Sequence, residues 1–250
     1  MLLLARIEFT KLKRCNVYFV GIVTLLFAPL ISVFQQISLN EPMPYFGFNN
    51  LVNDTIWYNM SLLLPVTIIF LGGYMINREY TEDTLKNMYI VPVAHQMLIC
   101  GKLAALAIMT MLYCVYSALL TVLVSAALFP EGLSLISIIL GTGKIIAVGL
   151  CIYIAILPIL CWCCGGKNRY MVAAVLGFLY GFFGIPIAGH GLQDFYPITA
   201  GLTIIHYNGS TNGMLSYNSA IAIAALIAMI LISLLILHFQ NRVSNKERFQ

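Results

Sequence analysis

The chain has 250 residues, 61% of them hydrophobic and 9% charged, with 13 basic against 9 acidic side chains. Ordinary soluble domains run near a quarter charged, so a water-soluble enzyme or binding module of this size is excluded. No shift of composition divides the chain, and 1–250 is read as a single transmembrane domain.

Residues 1–14 carry Arg6, Lys11, Lys13 and Arg14, while Leu2, Ala5, Phe9 and Leu12 share one helical face. That pattern suits a helix lying in a membrane interface, and equally a basic flank that fixes topology. The first apolar run is long and lacks a clean small-x-small cleavage site, so it is expected as a retained span. Six runs are long enough to cross a bilayer: 17–37, 57–76, 103–129, 145–164, 170–189 and 218–239. About 20 helical residues rise ~30 Å, the thickness of the hydrocarbon core. Period-2 alternation is absent, which favours helices over barrel strands. The expected fold is therefore an all-α polytopic membrane protein with six transmembrane helices.

All charged residues fall outside those six runs. A cytoplasmic N-terminus places Arg6, Lys11, Lys13, Arg14, Arg78, Lys86, Lys102, Lys167, Arg169, Arg242, Lys246 and Arg248 inside, and leaves Lys144 outside. Such an asymmetry is the positive-inside signature. Residues 133–144 then read as an interfacial segment, with Lys144 at headgroup level.

Between the second and third runs lies "NREYTEDTLKNMYIVPVAHQMLICGK", residues 77–102. Glu79, Glu82 and Asp83 suit the start of a helix, and Glu82 and Lys86 are spaced i,i+4. Thr81, Leu85 and Met88 make a narrow apolar face, and Pro92 stops the helix. A short amphipathic helix of this kind suits docking into a soluble partner; an ordinary loop is the competing reading.

Seven cysteines, Cys15, Cys100, Cys114, Cys151, Cys161, Cys163 and Cys164, avoid the outer loops, so no disulfide framework is expected. "CWCC" at 161–164 lacks ligand spacing and a fourth ligand, and reads as apolar thiols at a helix end. In the fifth run Ala173, Gly177 and Gly181 recur every four residues, with Gly184 following. Small residues on one face let helices approach closely, either within the chain or across a dimer. Residues 190–216 are too broken to cross and read as an outer segment with aromatic anchors Phe195, Tyr196 and Tyr207.

No engine is visible. "GTGK" at 141–144 lacks the phosphate-loop pattern, since Ile138 occupies the first glycine position and Ile145 follows the lysine. The runs hold no carboxylate, lysine or arginine for a proton relay, and no hydrolase motif is present. No catalytic residue, metal site or cofactor is assigned to this chain. Three arrangements remain: a membrane subunit driven by a separate ATPase, a sodium-coupled secondary transporter working alone, or a non-transporting membrane scaffold or sensor.

The layout resembles the ABC transporter permeases of the type-2 exporter class, with size and style nearest the lantibiotic and bacitracin export or immunity type. That class tends to carry, after its second span, a Glu, then Gly-Thr-Leu, then Pro followed by Ser-Arg, then a Lys opening the third span. Here these are Glu79, "DTL" at 83–85, "PVAH" at 92–95 and "GK" at 101–102. Asp83 replaces the usual glycine, and His95 stands where arginine is common. The resemblance implies a cytoplasmic coupling helix over 77–92, with Glu79, Glu82, Thr84, Leu85, Lys86, Met88 and Pro92 meeting an ATP-binding subunit. It also implies a re-entrant outer segment over 190–216. The expected partners are two copies of an ABC ATPase carrying ATP and magnesium, a second permease (identical or related) and the lipid bilayer, with no nucleic acid. The expected function is that of a non-catalytic permease subunit of an ATP-driven exporter in a bacterial plasma membrane, both termini cytoplasmic. Its cargo would be a hydrophobic peptide, antibiotic or other amphiphile.

Overall fold

A chain in lipid must satisfy its own backbone polar groups, and the described part of this one does so almost wholly in helices. The structure, a computed structural model, describes residues 7–11, 16–38, 46–81, 95–164, 169–189, 192–207 and 218–248. In order these form a short helix α1 (7–11), α2 (Tyr18–Ser38), α3 (Phe48–Tyr58), a π-helical turn (Asn59–Leu63) and α4 (Leu64–Thr81). There follow α5 (His95–Leu128), α6 (Leu135–Cys163), α7 (Arg169–Gly189), the five-residue α8 (Ala200–Ile204) and α9 (Ser219–Arg248). Six stretches are long and apolar enough to cross a membrane: Tyr18–Ser38, Phe48–Arg78, Met97–Leu128, Leu135–Cys163, Arg169–Ala188 and Ser219–Gln240. The all-helical, six-span architecture is thus as expected.

The second span is the pillar of the bundle. Its apolar window is 72% buried, against 17% for the last span. Ile56, Met60, Leu64 and Ile68 are fully buried, with Leu25, Leu106, Ile152 and Ile156 of α2, α5 and α6 in the same cluster. Lipid is as apolar as these side chains, so close packing rather than water exclusion holds them. Polar bonds add to it: Asn59 Nδ2 donates to Ser117 Oγ at 2.9 Å, and Thr121 Oγ1 to Thr55 Oγ1 at 3.2 Å. Interhelical bonds of this kind contribute on the order of 0.6 kcal/mol each.

Proline chemistry accompanies the π turn. Pro65 has no N–H for the carbonyl of Ser61, four residues back. The preceding N–H, that of Leu64, bonds to Asn59 O five residues back, which widens the helix locally.

The second, third and fourth spans begin earlier than the apolar runs do. The second starts at Phe48 rather than 57, because "FNNLVNDTIWY" buries Phe48, Leu51, Val52, Thr55 and Ile56 on one helical stripe. Its polar residues find partners: Ser32 Oγ donates to Asp54 Oδ2 at 2.6 Å, and Tyr58 OH donates to Gln35 Oε1. The third span starts before 103 and takes in Lys102. Residues 135–144, expected as part of an interfacial segment before a span at 145, are the first turns of one unbroken helix. Ser134 caps it by accepting from Ser137 N at 3.1 Å, and no proline follows before Lys144. Asp54, Lys102 and Lys144 therefore lie on membrane-length helices, where the sequence had placed no charge.

Residues 192–207 fold inward. Ile198, Thr199, Ala200, Leu202 and Thr203 are buried, and Gly201 lies against Val148 and Cys151 of α6. Thr203 Oγ1 donates to Asp194 Oδ1 at 2.7 Å, and the other oxygen of that carboxylate accepts from Asn218 N at 3.0 Å, at the start of α9. α8 ends with His206 in the left-handed region (φ 49). Tyr207 N then bonds Leu202 O at 2.9 Å and His206 N bonds Thr203 O at 3.1 Å, the Schellman pattern. Two of the three expected aromatic anchors bond to other elements of the bundle. Tyr207 OH donates to Asn53 O with its ring stacked near Trp57, and Tyr196 OH donates to Tyr180 O at 2.5 Å. Burial raises the Tyr196 phenol above its ordinary pKa, so it stays a donor. Phe195 alone of the three is exposed.

Candidate functional site

The segment singled out for coupling is framed rather than contained by the described structure. Glu79 lies in the last turn of α4; Glu82, Thr84, Leu85, Lys86, Met88 and Pro92 lie outside the described residues. α4 ends at Thr81 and α5 begins at His95, so both helices converge on the same end of the bundle, the end that also carries Arg169.

There α1 docks. Its Glu8, with Lys102 of α5, is among the most deeply buried charged groups described. Lys102 Nζ stands 3.3 Å from Glu8 Oε2 and donates to Met75 O at 3.3 Å; Lys11 Nζ stands 2.8 Å from Glu8 Oε1. Arg78 Nη1 donates to Lys11 O at 3.3 Å. α1, α4 and α5 are thereby pinned to one another on both sides of the 82–94 segment. In a medium of low dielectric such an ion pair is stiff, because either charge left alone is costly. The sequence reading missed Glu8. Its signal was present: Glu8 is the sole carboxylate before Glu41, set among four basic residues.

The small-residue face of α7 is occupied from within the chain. Ala173 is fully buried. A Cβ on Gly177 would meet Ile69 Cδ1 at 1.9 Å, one on Gly181 would meet Ser61 O at 2.7 Å, and one on Gly184 would lie 3.4 Å from Met60 Sδ. The carbonyl that Pro65 leaves without its helical donor is the one that Gly181 admits. Gly181→Leu should therefore disrupt the bundle, since backbone cannot yield as a flexible side chain does; overpacking costs about 1–3 kcal/mol or more. Val175→Leu, on the exposed face of the same helix, is the control. Detergent size-exclusion profiles of the two variants should separate them, the glycine variant losing its single peak. A normal peak for Gly181→Leu would remove the packing role.

At the same end Arg169 lies over the Trp162 ring at 5.3 Å, joining the ends of α6 and α7. Cys161, Cys163 and Cys164 are buried free thiols, and among the described residues no group of three or more His, Cys, Asp or Glu could hold a metal ion.

Six membrane-length helices, with α1 docked where the second and third spans meet, define a multi-pass membrane protein. The chain belongs to the family described as ABC-2 family transporter protein, which it matches over residues 4–184. The match runs from α1 to the fifth span and includes the segment framed by α4 and α5. The chain is similar to the bacitracin transport permease protein of Bacillus licheniformis, with 28% identity over 156 residues, 61% of this chain and 73% of that one. It is a transporter permease subunit.

Proposed function

We propose that the chain is the membrane subunit of an ATP-driven exporter whose cargo is a hydrophobic peptide antibiotic or a similar amphiphile. The similarity to a bacitracin transport permease carries this reading. Family membership favours it over a freestanding sodium-coupled carrier. ATP and magnesium sit on a separate ATP-binding subunit, present in two copies beneath a pair of permeases. Closure of the ATPases pushes on residues 77–92, and the pinned α1, α4 and α5 move with that segment and tilt the second and third spans. The decisive experiment is reconstitution of the permease with its ATPase in vesicles. Uptake of a bacitracin-type peptide that requires ATP and is blocked by vanadate supports the proposal; uptake driven by a sodium gradient without ATP overturns it.

In this reading the basic end faces the cytoplasm, as the charge asymmetry favours. Glu131 is exposed in the turn at the opposite end. Glu131→Cys should react in intact cells with a thiol reagent that does not cross the membrane, and Asn87→Cys should not. The reverse labelling pattern would invert the topology.

A further inference from the structure

At the end of the bundle away from α1, two polar pairs face each other across the seam of the first two spans. Ser32 and Gln35, three apart on α2, meet Asp54 and Tyr58, four apart on α3, so each pair lies on one helical face. Ser32 Oγ donates to Asp54 Oδ2 at 2.6 Å, and Tyr58 OH donates to Gln35 Oε1. The patch grades outward: Ser32 is buried, Asp54 and Tyr58 are half-buried, and Gln35 is exposed. At ~1.5 Å per residue Asp54 stands about 36 Å along its span from Arg78, against a hydrocarbon core of ~30 Å. That is headgroup depth.

Both hydroxyl hydrogens are spent within the patch. Among the described residues Asp54 Oδ1 has no hydrogen-bond partner and the carboxylate has no ion pair. The open side of the patch is therefore rich in lone pairs around one negative charge, and an ionisable group placed on a membrane span calls for a partner. A single carboxylate is too little for a divalent metal, and no group of three or more His, Cys, Asp or Glu gathers there among the described residues. An ammonium fits better. It donates up to three hydrogen bonds, and Tyr58, one turn from Asp54, offers an aromatic ring beside the carboxylate. Phe34 and Ile37, 70% and 74% exposed, flank Gln35 along α2 and offer apolar surface for a tail.

We propose that this patch binds the ammonium group of an amphiphile whose tail lies along α2, with Asp54 Oδ1 as its acceptor. Two sources share that chemistry, a cationic cargo peptide and a phosphatidylethanolamine headgroup; the first rests on the exporter reading above and the second does not. The test is binding to the purified permease in dodecyl maltoside without ATPase or ATP, so its failure leaves that reading untouched. Trp57, between Asp54 and Tyr58 in the chain, reports occupancy by its fluorescence, with Trp162→Phe removing the other tryptophan. Dodecylammonium should bind about tenfold more tightly than dodecanol, the effect of one charge-assisted hydrogen bond. Asp54→Asn, which keeps an acceptor for Ser32, should abolish that preference. Glu131→Gln, exposed in a turn at the same end, should keep it. Competition by phosphatidylethanolamine but not phosphatidylcholine supports the site with a lipid headgroup in it, and competition by an acylated lysine peptide alone supports it with cargo. Equal affinity of the two probes for the unmodified protein overturns the proposal. So does a preference that survives Asp54→Asn or is lost with Glu131→Gln.

Discussion

Lys102→Glu should abolish transport while leaving an inserted protein, and the exchanged pair Glu8→Lys with Lys102→Glu should recover a large part of it. The two side chains are 8% and 10% exposed and meet at 3.3 Å, with Met75 O as a further acceptor for the lysine. Reversing one charge sets two carboxylates against each other where solvent screens them little. Breaking a buried pair costs about 3–5 kcal/mol. That is roughly two to four powers of ten in the equilibrium between docked and undocked α1. Lys102→Met should be milder, because Glu8 retains Lys11 at 2.8 Å. Peptide uptake in reconstituted vesicles gives the order: unmodified, exchanged pair, Lys102→Met, Lys102→Glu. A folded exchanged pair as inactive as the single reversal would show that the contact does not link α1 to the spans.

The bundle was legible because lipid imposes a simple rule: each crossing needs about 20 apolar residues, and six runs meet it. Helix starts were less legible. Phe48–Tyr58 looks like a loop by composition, and its polar residues fit a buried helix through their partners, since Ser32 on another span satisfies Asp54. Lys144 drew a boundary in the sequence reading that the backbone ignores, because one exposed lysine near a helix end does not break a helix. The small stripe of α7 announced a close approach, yet its partner could not be read: it is the Pro65 turn of the second span, a non-local contact. Glu8 and Lys102 lie far apart in sequence, and no periodicity relates them. The chemistry of the 82–94 segment stands on its residues and on the family, because its place in the bundle lies outside the described residues.

Leu85→Asp with Met88→Asp should yield a permease that inserts and runs as a single species in detergent but no longer retains its ATPase. The two residues lie on the narrow apolar face of the proposed coupling helix, at a spacing of three, with Glu79, Glu82 and Lys86 around it. In a docked helix, buried apolar anchors carry most of the binding energy, while charges at the rim set orientation and rate. Each anchor contributes ~1.5–3 kcal/mol on burial. Losing both weakens binding by about two to four powers of ten, enough to turn a complex stable through purification into one that dissociates on the column. Lys86→Ala, a rim charge, should cost at most about tenfold and keep the complex. Because α4 and α5 are pinned by Glu8 and Lys102 independently of the segment between them, the double variant should keep the size-exclusion profile of the unmodified permease. That separates lost docking from lost folding. Co-purification of the ATPase at full stoichiometry with the double variant would mean that residues 77–92 are a loop, with the ATPase held elsewhere.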